Sequence, residues 1–448
     1  MNSRKLTVVS VVMLTLVLGV MLMTNLRASA AGTNRYVANG GSDTTDCSSS
    51  STPCATIQYA VGQSVANDTI NVAAGTYTEN VDIPGGLTGL TLKGAQAGNA
   101  VAGRTFGGVS ESTVIGPQVI GNSGVITIRP SGVTVDGFSI TNAKLAVGVV
   151  TAVGAAQGIV VKNTVNGAVI TNDVFDGIST VDTSGNGTAQ AVYLEAGPDN
   201  VQIQNNRMTN IQSNRSAKGV LSGDSGSTNA GTNILIQGNV ISNVTSGSRG
   251  AYGVQVNNGG PGNGAPGITA NTGIKILDNT ITNLTSGGWI HAIGLEANTP
   301  GVVVAGNSVS GLSAPTPDVV AVWFESQNTS FATGSVNINN LDVTSLYFGI
   351  AVHPALPAGP LNGTCNWWGS ASGPTAASNP GGTGSQVSSN VTYKPWLISP
   401  APGGACIGGN VPANKDQCKN DGWKTHVRAD GSTFKNQGDC IQYVNTGK

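Results

Sequence analysis

The sequence predicts an all-β chain wound as a parallel β-solenoid. Three observations carry that reading: a composition hostile to helices, a repeating pattern of period-two apolar segments, and an Asn at a fixed place in each repeat. Gly accounts for 64 of 448 residues and charged residues for only 10 %. Gly is among the poorest helix formers, so coiled coils and helix-dominated folds are excluded. Hydrophobic residues hold at 39 %, which excludes a disordered chain. A net charge of −1 leaves no electrostatic footprint for nucleic acid.

The repeat is clearest at Val201, Ile203, Asn206, Met208 and Asn210. It recurs at Ile234, Ile236, Asn239, Ile241 and Asn243, then at Ile274, Ile276, Asn279, Ile281 and Asn283, then at Val302, Val304, Asn307, Val309 and Gly311. Looser copies flank these, centred on Phe138, Asp173 and Leu341. Alternating apolar residues mean strands with one face buried. Two properties suit Asn to the junction between the two short strands. It tolerates left-handed backbone angles at a bend, and its amide can bond to the same amide in the repeats above and below. A further strand follows each copy, seen in Val192 with Leu194, Val254 with Val256, Ile293 with Leu295, Val322 with Phe324, and Ile350 with Val352. Coils of roughly 30 residues with stacked identical side chains describe a solenoid. Leucine-rich repeats need shorter, Leu-anchored units, and a β-sandwich shows no fixed period.

The ends of the chain read differently. Arg4 and Lys5 precede an apolar run from Leu6 to Met23, and Ala28-Ser29-Ala30 follows. Residues 1–30 are expected to be a secretory signal peptide, with a retained membrane anchor as the alternative because the apolar run is long. The remainder is expected to be secreted, extracellular or at the cell surface, off the membrane once the signal is cleaved, and monomeric. Six cysteines fit an oxidising compartment. Neighbours in sequence suggest Cys47 with Cys54 and Cys418 with Cys440, leaving Cys365 and Cys406. No CxxC pair or His-x-x-x-His accompanies them to suggest zinc. The open N-terminal end needs a cover. Thr52 is the expected helix cap with Pro53 at the first position, and Ile57, Val61 and Val65 form the stripe that plugs the core.

Tyr36-Val37-Ala38-Asn39-Gly40-Gly41-Ser42-Asp43 leads to Cys54-Ala55-Thr56-Ile57-Gln58. Asp68-Thr69-Ile70-Asn71-Val72-Ala73-Ala74-Gly75-Thr76-Tyr77 and Leu90-Thr91-Leu92-Lys93-Gly94 follow. This resembles the opening of secreted right-handed parallel β-helix repeat proteins of the pectin lyase-like superfamily. Asn366-Trp367-Trp368-Gly369 with Ser372-Gly373-Pro374 is similar to a closing segment of that group. The resemblance implies a right-handed β-helix over residues 31–398. It implies no single activity, since the superfamily includes lyases, hydrolases, adhesins and proteins without catalysis. A Pro/Gly-rich linker at 399–412 and a small cysteine-containing module at 413–448 complete the expected organisation.

Candidate chemistry follows from parity in the strand that follows each copy of the repeat. If Ile293 and Leu295 point inward, Gly294 and Glu296 point outward. The same parity sends out Tyr193 and Glu195, Gln255 and Asn257, Trp323 and Glu325, and Ala351 and His353. The chain has five Glu, and three fall in this one column. Adjacent coils sit about 4.8 Å apart, so Glu296 and Glu325 become stacked neighbours. Such carboxylates repel, which favours a shared proton, and a pair about 5 Å apart suits a retaining glycosidase. Glu296, Glu325 and His353 are therefore the candidate catalytic groups. Glu195, Tyr193, Asn257 and Trp323 are the candidate substrate contacts, Trp323 for its flat ring.

The Ca²⁺-binding Asp cluster and Arg base implied by a pectate lyase-like site are not visible. No metal site and no cofactor are expected. Calcium stays open only at Asp182 to Asn186, which lacks the full loop pattern. Three functions remain: a polar face binding extracellular polysaccharide or cell-surface glycan, a polysaccharide-active hydrolase or lyase, and a structural envelope or matrix component. A groove around residues 195, 296, 325 and 353 favours catalysis, and a flat ridge favours binding or structure.

Overall fold

The computed structural model describes residues 32–116, 123–142, 155–180, 187–195, 197–223, 231–257, 270–356 and 359–447. The signal segment at 1–30 and the Asp182–Asn186 segment lie outside the described residues. The strands form three long parallel sheets of twelve, eleven and ten strands, visited in turn by each coil. One coil runs Gln202–Gln204, Arg207–Ser213, Ser216–Ser222, and the next repeats it at Leu235–Gln237, Val240–Ser246, Ala251–Asn257. Val, Ile and Leu from all three sheets fill one continuous core. The chain is the all-β parallel β-helix that the repeat predicts.

Inside that core the Asn ladder is complete. Asn206 Nδ2 donates to Asn239 Oδ1 at 3.0 Å, and Asn239, Asn279, Asn307 and Asn339 continue the series at 2.9 Å to Asn366. All six side chains are fully buried. Each Asn of the series also donates to a backbone carbonyl of the preceding coil, as Asn279 does to Ile236. The left-handed angle, however, falls one residue earlier, at Asn205, Gly238, Asp278 and Gly306. The bend and the ladder are therefore two separate demands on adjacent residues. The last repeat also shifts by two: Val304 pairs with Val336 and Val309 with Leu341, so Asn339 occupies the ladder position. Ile338 is left 49 % exposed with a φ of 60°, where the preceding coils place Gly, Asn or Asp.

Asp173 begins the ladder. Its Oδ1 accepts from the Phe138 amide at 2.8 Å, while its buried Oδ2 has no partner among the described residues. Complete burial, only partly offset by that hydrogen bond, pushes its carboxyl well above the usual range. A group raised in the folded state costs stability progressively as pH rises above its unfolded value of 3.8. Asp173→Asn is therefore expected to raise the melting temperature at pH 7 by a few degrees and to change it little near pH 3, as thermal scans at both values would show.

The N-terminal helix α1, Ile57–Gln63, buries Ile57, Ala60 and Val61 against the first coil. Its cap is Thr56, whose hydroxyl accepts from Tyr59, and not Thr52; Val65 lies beyond the helix and is 59 % exposed. Three disulfides join Cys47–Cys54, Cys365–Cys406 and Cys418–Cys440. The second ties residues 399–412 back to the last coil, where Cys406–Gly408 pairs antiparallel with Trp396–Leu397. That stretch is anchored rather than a free linker. In the tail, α2, Gln437–Thr446, is stapled by the third disulfide, and Phe434 packs against Tyr443 and the Arg428 guanidinium. Among the described residues no helix is long and apolar enough to cross a membrane.

Candidate functional site

The site lies on the eleven-strand sheet. Its strands are β1 (Ala155–Val161), β2 (Thr188–Leu194), β3 (Ser216–Ser222), β4 (Ala251–Asn257), β5 (Ile290–Glu296), β6 (Val319–Phe324) and β7 (Phe348–Val352). Register puts Asn257 beside Glu296, and Gly294 beside Trp323 beside Ala351. Glu296, Glu325 and His353 therefore follow one another in the column the sequence places them in. The surface there is concave: a cleft of about 520 Å³ is lined by Tyr193, Asn257, Glu296 and Glu325 among others. Trp323 lines an adjoining hollow, and Asp318 borders both. Glu195 stands apart, with its Oε1 3.2 Å from the Lys162 ammonium.

A second outward column was invisible to parity. Gln157, Gln190, Lys218, Tyr252 and His291 stack along the same cleft, and Trp289 and Asp318 lie beside them. Strict alternation back from Glu296 would send out Ala292 and Ile290 and bury His291. In the structure both Ala292 and Ile293 belong to the core, so the alternation skips one residue. The skipped position is small in each of β1 to β7: Gly158, Ala191, Gly219, Gly253, Ala292, Ala321 and Gly349. A Cβ on Gly253 would stand 2.6 Å from Ile281 Cγ2. The strand bends inward there, and only a small side chain fits. That column of Gly and Ala was the signal available in the sequence.

Glu296 is the most heavily bonded carboxylate in the cleft. The Tyr252 hydroxyl donates to its Oε1 at 2.8 Å and Gln255 Nε2 to its Oε2 at 2.6 Å. His291 Nδ1 lies 3.3 Å from Oε1, and His291 Nε2 lies 3.1 Å from Asp318 Oδ1. Trp289 Nε1 donates to the Tyr252 hydroxyl at 2.8 Å. Burial alone would raise the Glu296 carboxyl, but the His291 hydrogen bond and charge, with Tyr252 and Gln255, outweigh it and hold the group below its usual range. Burial likewise opposes the His291 charge, yet the bonds to Asp318 and Glu296 win and raise it. Tyr252 is pushed well above its usual range by burial and by the Glu296 charge.

The expected proton-sharing pair is not what forms. Glu296 turns toward its own coil and the one before it. Glu325 accepts from Trp323 Nε1 at 3.3 Å and the Ser326 amide at 2.7 Å, with His353 Nε2 3.7 Å away. The partners pull the two carboxylates in opposite directions along the column, and the neighbour that sets the Glu296 charge state is His291. The rings form a chain: Trp323 stacks on His291 at 5.1 Å, with Tyr252 and His353 edge-on at either side.

The His291 pair has a defined pH window. The raised imidazole stabilises the fold fully below its unfolded value of 6.5, and that contribution is lost as pH rises through the folded value. The depressed Glu296 carboxyl contributes above its unfolded value of 4.5, and this is lost as pH falls through the folded value. The melting temperature gap between the native chain and His291→Asn is therefore expected to be widest from about pH 4.5 to 6.5 and to narrow on both sides. A scan from pH 3 to 9 checks it; a constant gap would remove the ion pair from the account.

Among the described residues no group of three or more His, Cys, Asp or Glu is placed to hold a metal ion.

No family model matches the sequence, and no curated protein matches it. Solved structures similar to this one include a rhamnogalacturonan lyase, 12 % identical, covering 90 % of this chain and 95 % of that chain with a TM-score of 0.39. Pectate lyase Pel9A is also 12 % identical, covering 92 % and 89 % with a TM-score of 0.36. The GH136 lacto-N-biosidase from Eubacterium ramulus is 12 % identical, covering 75 % and 68 % with a TM-score of 0.35. Likeness at this level is one of general winding and does not reach the residues of the cleft.

Proposed function

We propose that the protein is an extracellular, polysaccharide-active glycoside hydrolase whose cleft uses Glu296 and Glu325. The observation that carries this is their placement: two carboxyl groups from adjacent coils line one cleft, and one of them is held ionised by Tyr252, Gln255 and His291. Cleavage of a glycosidic bond needs one carboxylate to attack or to activate water and a second carboxyl to deliver the proton to the leaving oxygen. Glu296 suits the first role, since its hydrogen bonds favour the charged form. Glu325, on the adjacent coil, takes the second role, with the His353 imidazole 3.7 Å away as its neighbour.

The lining suits a sugar chain. Gln157, Gln190, Gln255 and Asn257 line the cleft, and among the described residues each keeps a buried side-chain oxygen without a hydrogen-bond partner. Buried acceptors of this kind are costly unless something donates to them, and a carbohydrate is dense in hydroxyl donors. Trp289 and Trp323 add flat apolar rings with a polar edge. Three disulfides suit an oxidising, extracellular setting.

Glu325→Gln is expected to lower release of reducing ends by about 10²–10⁴-fold while leaving the affinity for the polymer within a few-fold. Unchanged turnover would remove Glu325 from the reaction. Tight polymer binding with no release by the native chain would favour the second reading, a non-catalytic glycan-binding face.

A further inference from the structure

The cleft is electrically divided. Glu296, Asp318 and Glu325 line its later coils, and Arg215, Lys218 and Arg249 line the two coils before them. Lys218 is the unusual member. It is only 7 % exposed, and its ammonium donates to Ser216 Oγ at 3.0 Å and lies 5.8 Å from the Tyr252 ring centre. Among the described residues no carboxylate forms an ion pair with Lys218, Arg215 or Arg249. The Glu296 charge favours the ammonium only from a distance; a buried ammonium without a contacting carboxylate is expensive, and it has three donors to satisfy. Gln190 precedes Lys218 by one coil and Gln157 by two in the same column, and among the described residues neither side-chain oxygen has a hydrogen-bond partner.

We infer that Lys218, flanked by Arg215 and Arg249, forms a subsite for an oxyanion substituent on the sugar chain, a carboxylate or a sulfate. The inference rests on the hydrolase reading for its position in the reaction. Lys218 pairs with Tyr252, and Ala251 and Val254 of that strand pair with Ile290 and Ile293, which sets Lys218 two coils before the Glu296 strand. Two coils span about 10 Å along the axis, so the acidic group belongs to a sugar flanking the cleaved bond. The neighbouring Gln oxygens then accept hydroxyl protons of the same ring. Burial draws the Lys218 ammonium down to about 8, which still leaves it mostly charged at neutral pH and ready to gain from an anion.

The test is calorimetric titration of the full chain with three oligosaccharides of one backbone: uronate-containing, carboxyl-reduced, and sulfated. At least one acidic form is expected to bind about tenfold or more tightly than the neutral form, and the tighter of the two identifies the substituent. Lys218→Met is expected to erase that preference without changing the circular dichroism spectrum. Arg215→Gln, at a partly exposed position, is expected to reduce the preference and carries the test if Lys218→Met does not fold. Equal affinity for all three forms overturns the subsite, and so does a preference that persists unchanged in Lys218→Met or, failing that, in Arg215→Gln. Acid preference without bond cleavage would sink the hydrolase reading and leave the subsite standing. Cleavage with no acid preference would do the reverse.

Discussion

Asn279→Ala is expected to destabilise the protein by about 3–5 kcal/mol, a fall in melting temperature of roughly 3–6 °C for a chain of this length. The side chain sits mid-ladder with no exposure. Its Oδ1 accepts from both the backbone amide and the side-chain amide of Asn239. Its Nδ2 donates to the Ile236 carbonyl and to Asn307 Oδ1. Alanine removes all four bonds and strands buried groups in two neighbouring coils, each costing about 1–3 kcal/mol before the coils relax. Asn283 is the control four residues on. It forms an exposed ladder bond to Asn243 at 3.4 Å and carries a φ of 58°. Asn283→Gly keeps that angle accessible, so its cost should stay within about 0.5 kcal/mol. Equal losses for the two variants would show that the buried ladder has no special weight.

Glu296→Gln is expected to lower turnover by about 10³-fold or more at neutral pH. Glutamine keeps the shape but carries no charge, and its amide meets the Gln255 amide donor where a carboxylate oxygen stood. The cleft should still bind polymer, because its aromatic rings and Gln157 and Gln190 are untouched. Tyr252→Phe separates the charge from its support. It removes one hydrogen bond to the ionised carboxylate, so the Glu296 pKa rises and the acid limb of the rate profile moves to higher pH. A loss of turnover with no movement of that limb would mean that Tyr252 acts only in packing.

The fold was legible because its two strongest constraints are written in residue types. Period two gives strands, and an Asn recurring about every 30 residues gives vertical stacking. The column Asn257, Glu296, Glu325 and His353 followed directly. What parity could not show was Tyr252 and His291, because the strand bends at Gly253 and Ala292 and places two successive residues inward. Sequence spacing also said nothing about which way a side chain leans, so two stacked carboxylates were expected to face each other. Tyr252, Gln255 and His291 instead draw Glu296 toward the preceding coil. At the C-terminal end, Ile338 disguised the register by placing an apolar residue at a left-handed position usually held by Gly, Asn or Asp. Disulfide neighbours were readable from spacing, whereas the return of Cys406 to the last coil depends on the antiparallel pairing of Trp396–Leu397 with Cys406–Gly408.

The most direct measurement is a crystal structure of the Glu325→Gln chain soaked with an oligosaccharide that the native chain cleaves. Sugar density is expected along β3 to β6, with a glycosidic oxygen between residues 296 and 325. Sugar bound on another sheet, or lying in the cleft with every glycosidic oxygen out of reach of both residues, would contradict it.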